Sequence, residues 1–188
     1  MKKIILLGGV PGVGKTTIAY SLALKLKIDK VISIDSVKQI LMNFISKEKE
    51  PYLYTTTHES YLLENKSIIE GYLKHSKIIN SYVCKIIEKF KDNILIIEGA
   101  TVNTEMIDLF DNTKYKVLYI NLYTNENELQ KRYKEKSKIR KGKWANNLEI
   151  IKKIDIYLRK NGKINIENSK LNLTIERIEK YVKEILYL

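Results

Sequence analysis

The stretch Gly8-Gly9-Val10-Pro11-Gly12-Val13-Gly14-Lys15-Thr16-Thr17 lies between an apolar run, Ile4-Ile5-Leu6-Leu7, and an amphipathic segment from Ile18 to Leu26. The run before it reads as a buried strand and the segment after it as a helix. From Gly9 to Thr16 the residues fit G-x-x-x-x-G-K-[ST], the pattern of a phosphate-binding loop. Glycines let such a loop curl until several backbone N–H groups face one anion. The anion then meets a helix N-terminus, where unpaired N–H groups and the helix dipole favour negative charge. The expected nucleotide-binding residues are therefore Gly9, Gly12, Val13, Gly14, Lys15, Thr16 and Thr17. Lys15 is expected to reach the β- and γ-phosphates of ATP, and Thr16 to place its hydroxyl on Mg²⁺.

Working outward, Val31-Ile32-Ser33-Ile34 reads as a second strand ending at Asp35, with Ser36 as N-cap of a helix through Val37, Ile40, Leu41 and Phe44. An Asp at the C-terminal end of a parallel strand faces the crevice where α/β sheets bind ligands. There it can accept a proton from a substrate hydroxyl; the plainer alternative is a helix cap. Ile94-Leu95-Ile96-Ile97-Glu98-Gly99 is a continuous apolar run, the mark of a parallel strand buried on both faces. Glu98 at its end occupies a Walker-B-like position, suited to Mg²⁺ or to the acceptor. Gly99 is expected to let the chain pass close to the ligand.

Residues 46–65 are irregular and rich in hydroxyls. His58 there either contacts a polar acceptor or belongs to a surface loop in which Thr57 or Ser60 caps the next helix. The spacing of apolar residues predicts a long core helix from Lys66 to Lys91, with Lys74 and His75 towards its polar side and without chemistry. A short helix at 106–110, a strand at 115–122, helices after Thr124 or Asn125 and over 146–160, a strand at 164–166 and a last helix from Leu171 complete the pattern. The basic stretch 131–143 carries Arg132 and Arg140, two of only four arginines. As a lid over about 134–145, such cations stabilise charge on a transferring phosphoryl group. The bland alternative is a solvated helix face. Alternating strands and helices imply an α/β, three-layer fold: one domain over 1–188, a mainly parallel five-stranded sheet with helices on both faces, and a small lid.

The composition agrees. A chain of 188 residues suits one domain, and Cys84 as the sole cysteine leaves no internal disulfide, which favours a reducing compartment. The apolar N-terminal run is too short for a signal peptide and no segment is long enough to span a membrane, so a cytoplasmic location is expected. The net charge of +12 suits nucleic acid, or follows from a lysine-rich composition spread over every segment. A guanine-specific N-K-x-D motif is lacking, which argues against a GTPase switch.

Three pieces carry a family resemblance. Gly9-Val10-Pro11-Gly12-Val13-Gly14-Lys15-Thr16, then Val31-Ile32-Ser33-Ile34-Asp35-Ser36, then Ile96-Ile97-Glu98-Gly99 resemble the kinase domain of archaeal 2-phosphoglycerate kinases, and Ile164 to Ser169 resembles that family's last strand and turn. The family commonly has an N-terminal regulatory domain, whereas here the loop begins close to Met1. The resemblance implies a P-loop kinase fold and MgATP-dependent phosphorylation of a hydroxyl on a small phosphorylated acid. It implies Lys15 and Thr16 at the nucleotide and metal, and Asp35 and Glu98 facing the acceptor. An RNA 5′-hydroxyl, nucleoside or nucleotide kinase would share the fold, as would a nucleotide-binding switch without enzymatic activity.

Overall fold

A computed structural model describes residues 1–139 and 147–187. Five strands form one parallel sheet: β1 (Lys2–Gly8), β2 (Val31–Ser33), β3 (Ile94–Glu98), β4 (Tyr115–Tyr123) and β5 (Asn165–Glu167). Their spatial order is β2-β3-β1-β4-β5. The glycine loop thus leaves the central strand, where Leu7 pairs with Glu98 on one side and Ile120 on the other.

Apolar residues alternate across the sheet. Ile5 and Leu7 face one core, packed with Ile18 and Leu22 of α1 (Lys15–Leu26), Ile151 and Leu158 of α5 (Leu148–Asn161), and Ile178 and Val182 of α6 (Leu171–Leu186). Ile4 and Leu6 face the other, with Ile79, Val83 and Ile87 of α3 (Ile68–Ile87). Burial on both faces is why β1 and β3 read as unbroken apolar runs. The three-layer architecture is the expected one, with every strand pairing parallel.

Several boundaries differ from expectation. Strand β2 is only three residues long, and the chain turns at Ser33 straight into α2 (Ile34–Leu41). Asp35 therefore lies in the first helical turn rather than at a strand end, Ser36 is inside the helix rather than its cap, and Phe44 is beyond it and exposed. The turn is fixed by Ile34, which is buried against Gly99: a Cβ on Gly99 would sit 2.7 Å from Cβ of Ile34. Gly99 thus makes room for a neighbouring side chain rather than for a ligand. Helix α3 is capped by neither Thr57 nor Ser60 but by Ser67, in a reciprocal capping box with Glu70. In α4 (Glu126–Ile139) the expected Asn125 cap is present, its Oδ1 accepting from the Glu128 N–H at 2.9 Å. Arg140 and much of the expected lid lie outside the described residues.

Candidate active site

The C-terminal ends of β1, β2 and β3 open onto a cleft of about 760 Å³, a volume suited to a small-molecule ligand. One end is the glycine loop. Gly14 sits at φ 93° and is the N-cap of α1, so the chain enters the helix through a left-handed residue that strongly favours glycine. Gly9, at φ 129°, is closed to side chains for a second reason: its Cβ would lie 2.2 Å from the Leu122 carbonyl oxygen. Val13 turns its side chain into the core, leaving only its backbone to the loop.

Three side chains from distant elements fix the loop. Tyr133 Oη donates to the Pro11 carbonyl at 2.9 Å, and Arg132 Nη1 to the Gly12 carbonyl at 3.2 Å. Asn168, just after β5, donates from Nδ2 to the Val13 carbonyl at 2.8 Å, while its Oδ1 accepts from Thr174 Oγ1 at 3.2 Å. These three bonds use the carbonyls of Pro11, Gly12 and Val13 and none of the loop's N–H groups. Lys15, 8% exposed, donates from Nζ to the Val10 carbonyl at 3.0 Å. Thr16 and Thr17 are exposed to the cleft.

At the cleft floor Glu98 is 4% exposed, and Thr16 Oγ1 donates to its Oε1 at 3.1 Å. A hydroxyl and a carboxylate side by side offer the oxygen donors that a hard divalent cation selects. The pair would suit Mg²⁺, an ion usually held by one or two protein oxygens together with water and substrate phosphates; among the described residues no group of three or more His, Cys, Asp or Glu is gathered as a metal cage.

Opposite the loop, α2 contributes Asp35 and Lys38, one turn apart on one face. Lys38 Nζ donates to the Thr55 carbonyl. Burial lowers its pKa, against the opposing pull of Asp35 and Glu59. His58 lines this end and is half-buried, with its pKa also lowered by burial. Arg132 lies at the cleft rim, its Nε donating to Glu128 at 2.7 Å. The structure thus brings Lys15, Thr16, Thr17, Asp35, His58, Glu98 and Arg132 to one cleft.

It also brings residues that the sequence reading passed over. Asn168 and Lys38 are two. The third is His75, assigned to a polar face but 1% exposed and lining the cleft. The signal was in the spacing: Tyr72, His75, Ile79 and Val83 recur at three- and four-residue intervals on the buried face of α3. Burial, with Lys38 adding to it, lowers the His75 pKa to about 3.

This has a measurable consequence. Unfolded His75 returns to the ordinary value of 6.5, so between about 3 and 6.5 the unfolded chain binds a proton that the native state does not. Stability therefore rises with pH through that window and falls on acidification. The expected slope is up to about 1.4 kcal/mol per pH unit from this residue, with His58 acting in the same direction. Urea unfolding of wild type and His75→Gln at pH 7, 6 and 5 should show a flatter dependence in the variant; parallel curves would exclude the assignment.

Among the described residues no helix is long and apolar enough to cross a membrane. The model of the AAA domain family matches residues 5–153. A 2-phosphoglycerate kinase from Methanococcus maripaludis is 28% identical, covering 96% of this chain and 64% of its own length. One from Pyrococcus horikoshii is 30% identical, covering 93% of this chain and 62% of its own. The chain thus spans less than two thirds of these curated relatives, and the resemblance read from the sequence is borne out over most of this chain. Among solved structures, shikimate kinase from Bacteroides thetaiotaomicron superposes with a TM-score of 0.55 over 98% of both chains at 19% identity, a likeness of fold.

Proposed function

This chain belongs to the AAA domain family, and we propose that it is an ATP-dependent kinase that phosphorylates a hydroxyl of a small phosphorylated acid, most simply 2-phosphoglycerate. The observation that carries the reading is the single cleft in which an anion-binding loop with Lys15 faces Asp35 across the Thr16–Glu98 pair. The names of the relatives support the acceptor class.

In this reading the loop N–H groups and Lys15 hold the ATP phosphates. Asp35 accepts the proton of the acceptor hydroxyl as its oxygen attacks the γ-phosphorus; the bond from that phosphorus to the β–γ bridging oxygen breaks, and ADP leaves. Lys15, with Arg132 at the rim and Arg140 beyond the described residues, offsets the charge that gathers on the transferred group. Thr16 and Glu98 would hold Mg²⁺, which would supply charge neutralisation to the phosphates.

The test is transfer from γ-labelled ATP to a panel of 2-phosphoglycerate, other hydroxy acids, sugars, nucleosides, nucleoside monophosphates and 5′-hydroxyl RNA. Label on 2-phosphoglycerate is the expected result. Label only on RNA or a nucleotide would replace the acceptor and give the +12 charge a role. No transfer, with ATP bound, would favour a nucleotide switch.

A further inference from the structure

The cleft has a charged corner away from the glycine loop. Lys38 enters it from α2, His75 from α3, and Thr56, Thr57 and His58 from the segment between. Lys38 spends one ammonium donor on the Thr55 carbonyl, which holds its stem against that segment; an ammonium has three. His75 is more telling. Its ring packs on Tyr52, with centroids 6.2 Å apart and planes at 24°. The residue is 1% exposed, and neither ring nitrogen makes a hydrogen bond of good geometry, the Tyr52 backbone being the one protein acceptor among the described residues near enough to act on the ring. Buried polar groups are nearly always satisfied, and His75, unlike a group sealed in the core, lines the cleft where a bound molecule can satisfy it. Lys38 is close enough to His75 for its charge to act on the ring.

We infer that Lys38 and His75 form an oxyanion subsite, which holds a phosphate or carboxylate that the acceptor already carries while its hydroxyl faces Asp35. The inference rests on reading this cleft as a kinase site, and it adds to that reading the residues that hold the acceptor's anionic group. Lys38 supplies the charge. His75, kept neutral by its burial and by Lys38, supplies one N–H donor and no second charge. Asp35 and Lys38 share a face of α2, so a single short molecule can touch both, one with its hydroxyl and the other with its anionic group. An uncharged sugar or nucleoside would leave the corner unmatched.

The experiment uses the full chain saturated with MgADP, so that an added oxyanion cannot take the glycine loop. Three probes are titrated by calorimetry: 2-phosphoglycerate, glycerol 2-phosphate and glycerate, the last two separating phosphate from carboxylate. Wild type should bind 2-phosphoglycerate and one of the two partial probes. Lys38→Met should weaken both by about tenfold or more, as expected for a lost charge-assisted hydrogen bond, and Lys38→Arg should restore most of the affinity. With only two histidines in the chain, ring ¹⁵N spectra resolve His75, whose signals should move on saturation in wild type. Equal affinity in wild type and Lys38→Met, unmoved His75 signals, or no binding by any probe would each overturn the subsite. If Lys38→Met does not fold, Lys38→Arg and the wild-type spectra still decide. The two readings fail separately. Oxyanion binding through Lys38 without phosphoryl transfer would sink the kinase reading and leave the subsite. Transfer to 2-phosphoglycerate with an unchanged KM in Lys38→Met would do the reverse.

Discussion

Lys15→Met should lower kcat/KM for phosphoryl transfer by on the order of a thousandfold, the scale seen when one preorganised group that stabilises transition-state charge is removed. Lys15 opens α1 immediately after Gly14, and its ammonium is held over the loop by the Val10 carbonyl. It is thus placed before substrate arrives, and little reorganisation is needed when charge builds on the phosphoryl oxygens. Methionine preserves the buried length of the stem while deleting the charge. Thermal stability should therefore change little, because removing a desolvated charge also removes its desolvation penalty. ATP affinity should fall as well, because an ammonium binds the phosphates before the transition state forms. The measurement is steady-state transfer alongside thermal unfolding with and without ATP. A variant within threefold of wild type would show that the loop backbone does this work unaided. Lys15→Arg should not rescue fully: the planar guanidinium presents its donors differently from a compact ammonium, in a position only 8% exposed.

Asp35→Asn should lower kcat by about a hundred- to ten-thousandfold, the range for loss of a positioned general base, with ATP affinity unchanged. Asp35 stands on α2, across the cleft from the loop, whose carbonyls are held by Tyr133, Arg132 and Asn168. Asparagine keeps the shape and a hydrogen-bonding oxygen but cannot take a proton. The fold should tolerate it, because Asp35 is exposed and the turn into α2 is held by Ile34 against Gly99. Turnover and nucleotide calorimetry on one preparation decide the matter. Unchanged turnover would remove Asp35 from proton transfer, and loss of both activities would mark it as structural.

The glycine loop and the long apolar strands were legible because their causes are local. A Gly at Gly14 and a doubly buried strand at Ile94 to Ile97 leave their marks in consecutive residues. What escaped depends on neighbours far along the chain. Ser33 ends β2 because Ile34 has Gly99 to pack on, a partner more than sixty residues away that gives no sign in the sequence around Asp35. Asn168 looked like part of a turn because its partner, the Val13 carbonyl, comes from the other end of the chain. His75 was misplaced for a different reason. Its polarity suggests exposure, although its position relative to Tyr72 and Ile79 puts it inside. Lys38 could have been found from its one-turn offset from Asp35.

The tie between Asn168 and Val13 spans 155 residues, and it bears on how this chain is made. Synthesis delivers β1 and its loop before the other strands, but β1 is the middle strand: one edge stays open until β3 emerges and the other until β4. The loop must then wait for β5. A nascent chain stalled anywhere short of residue 168 has the whole phosphate-binding signature and lacks the clasp that shapes it. Pairings this distant in sequence favour slow folding, and the order of translation places the completion of the nucleotide end among the last events.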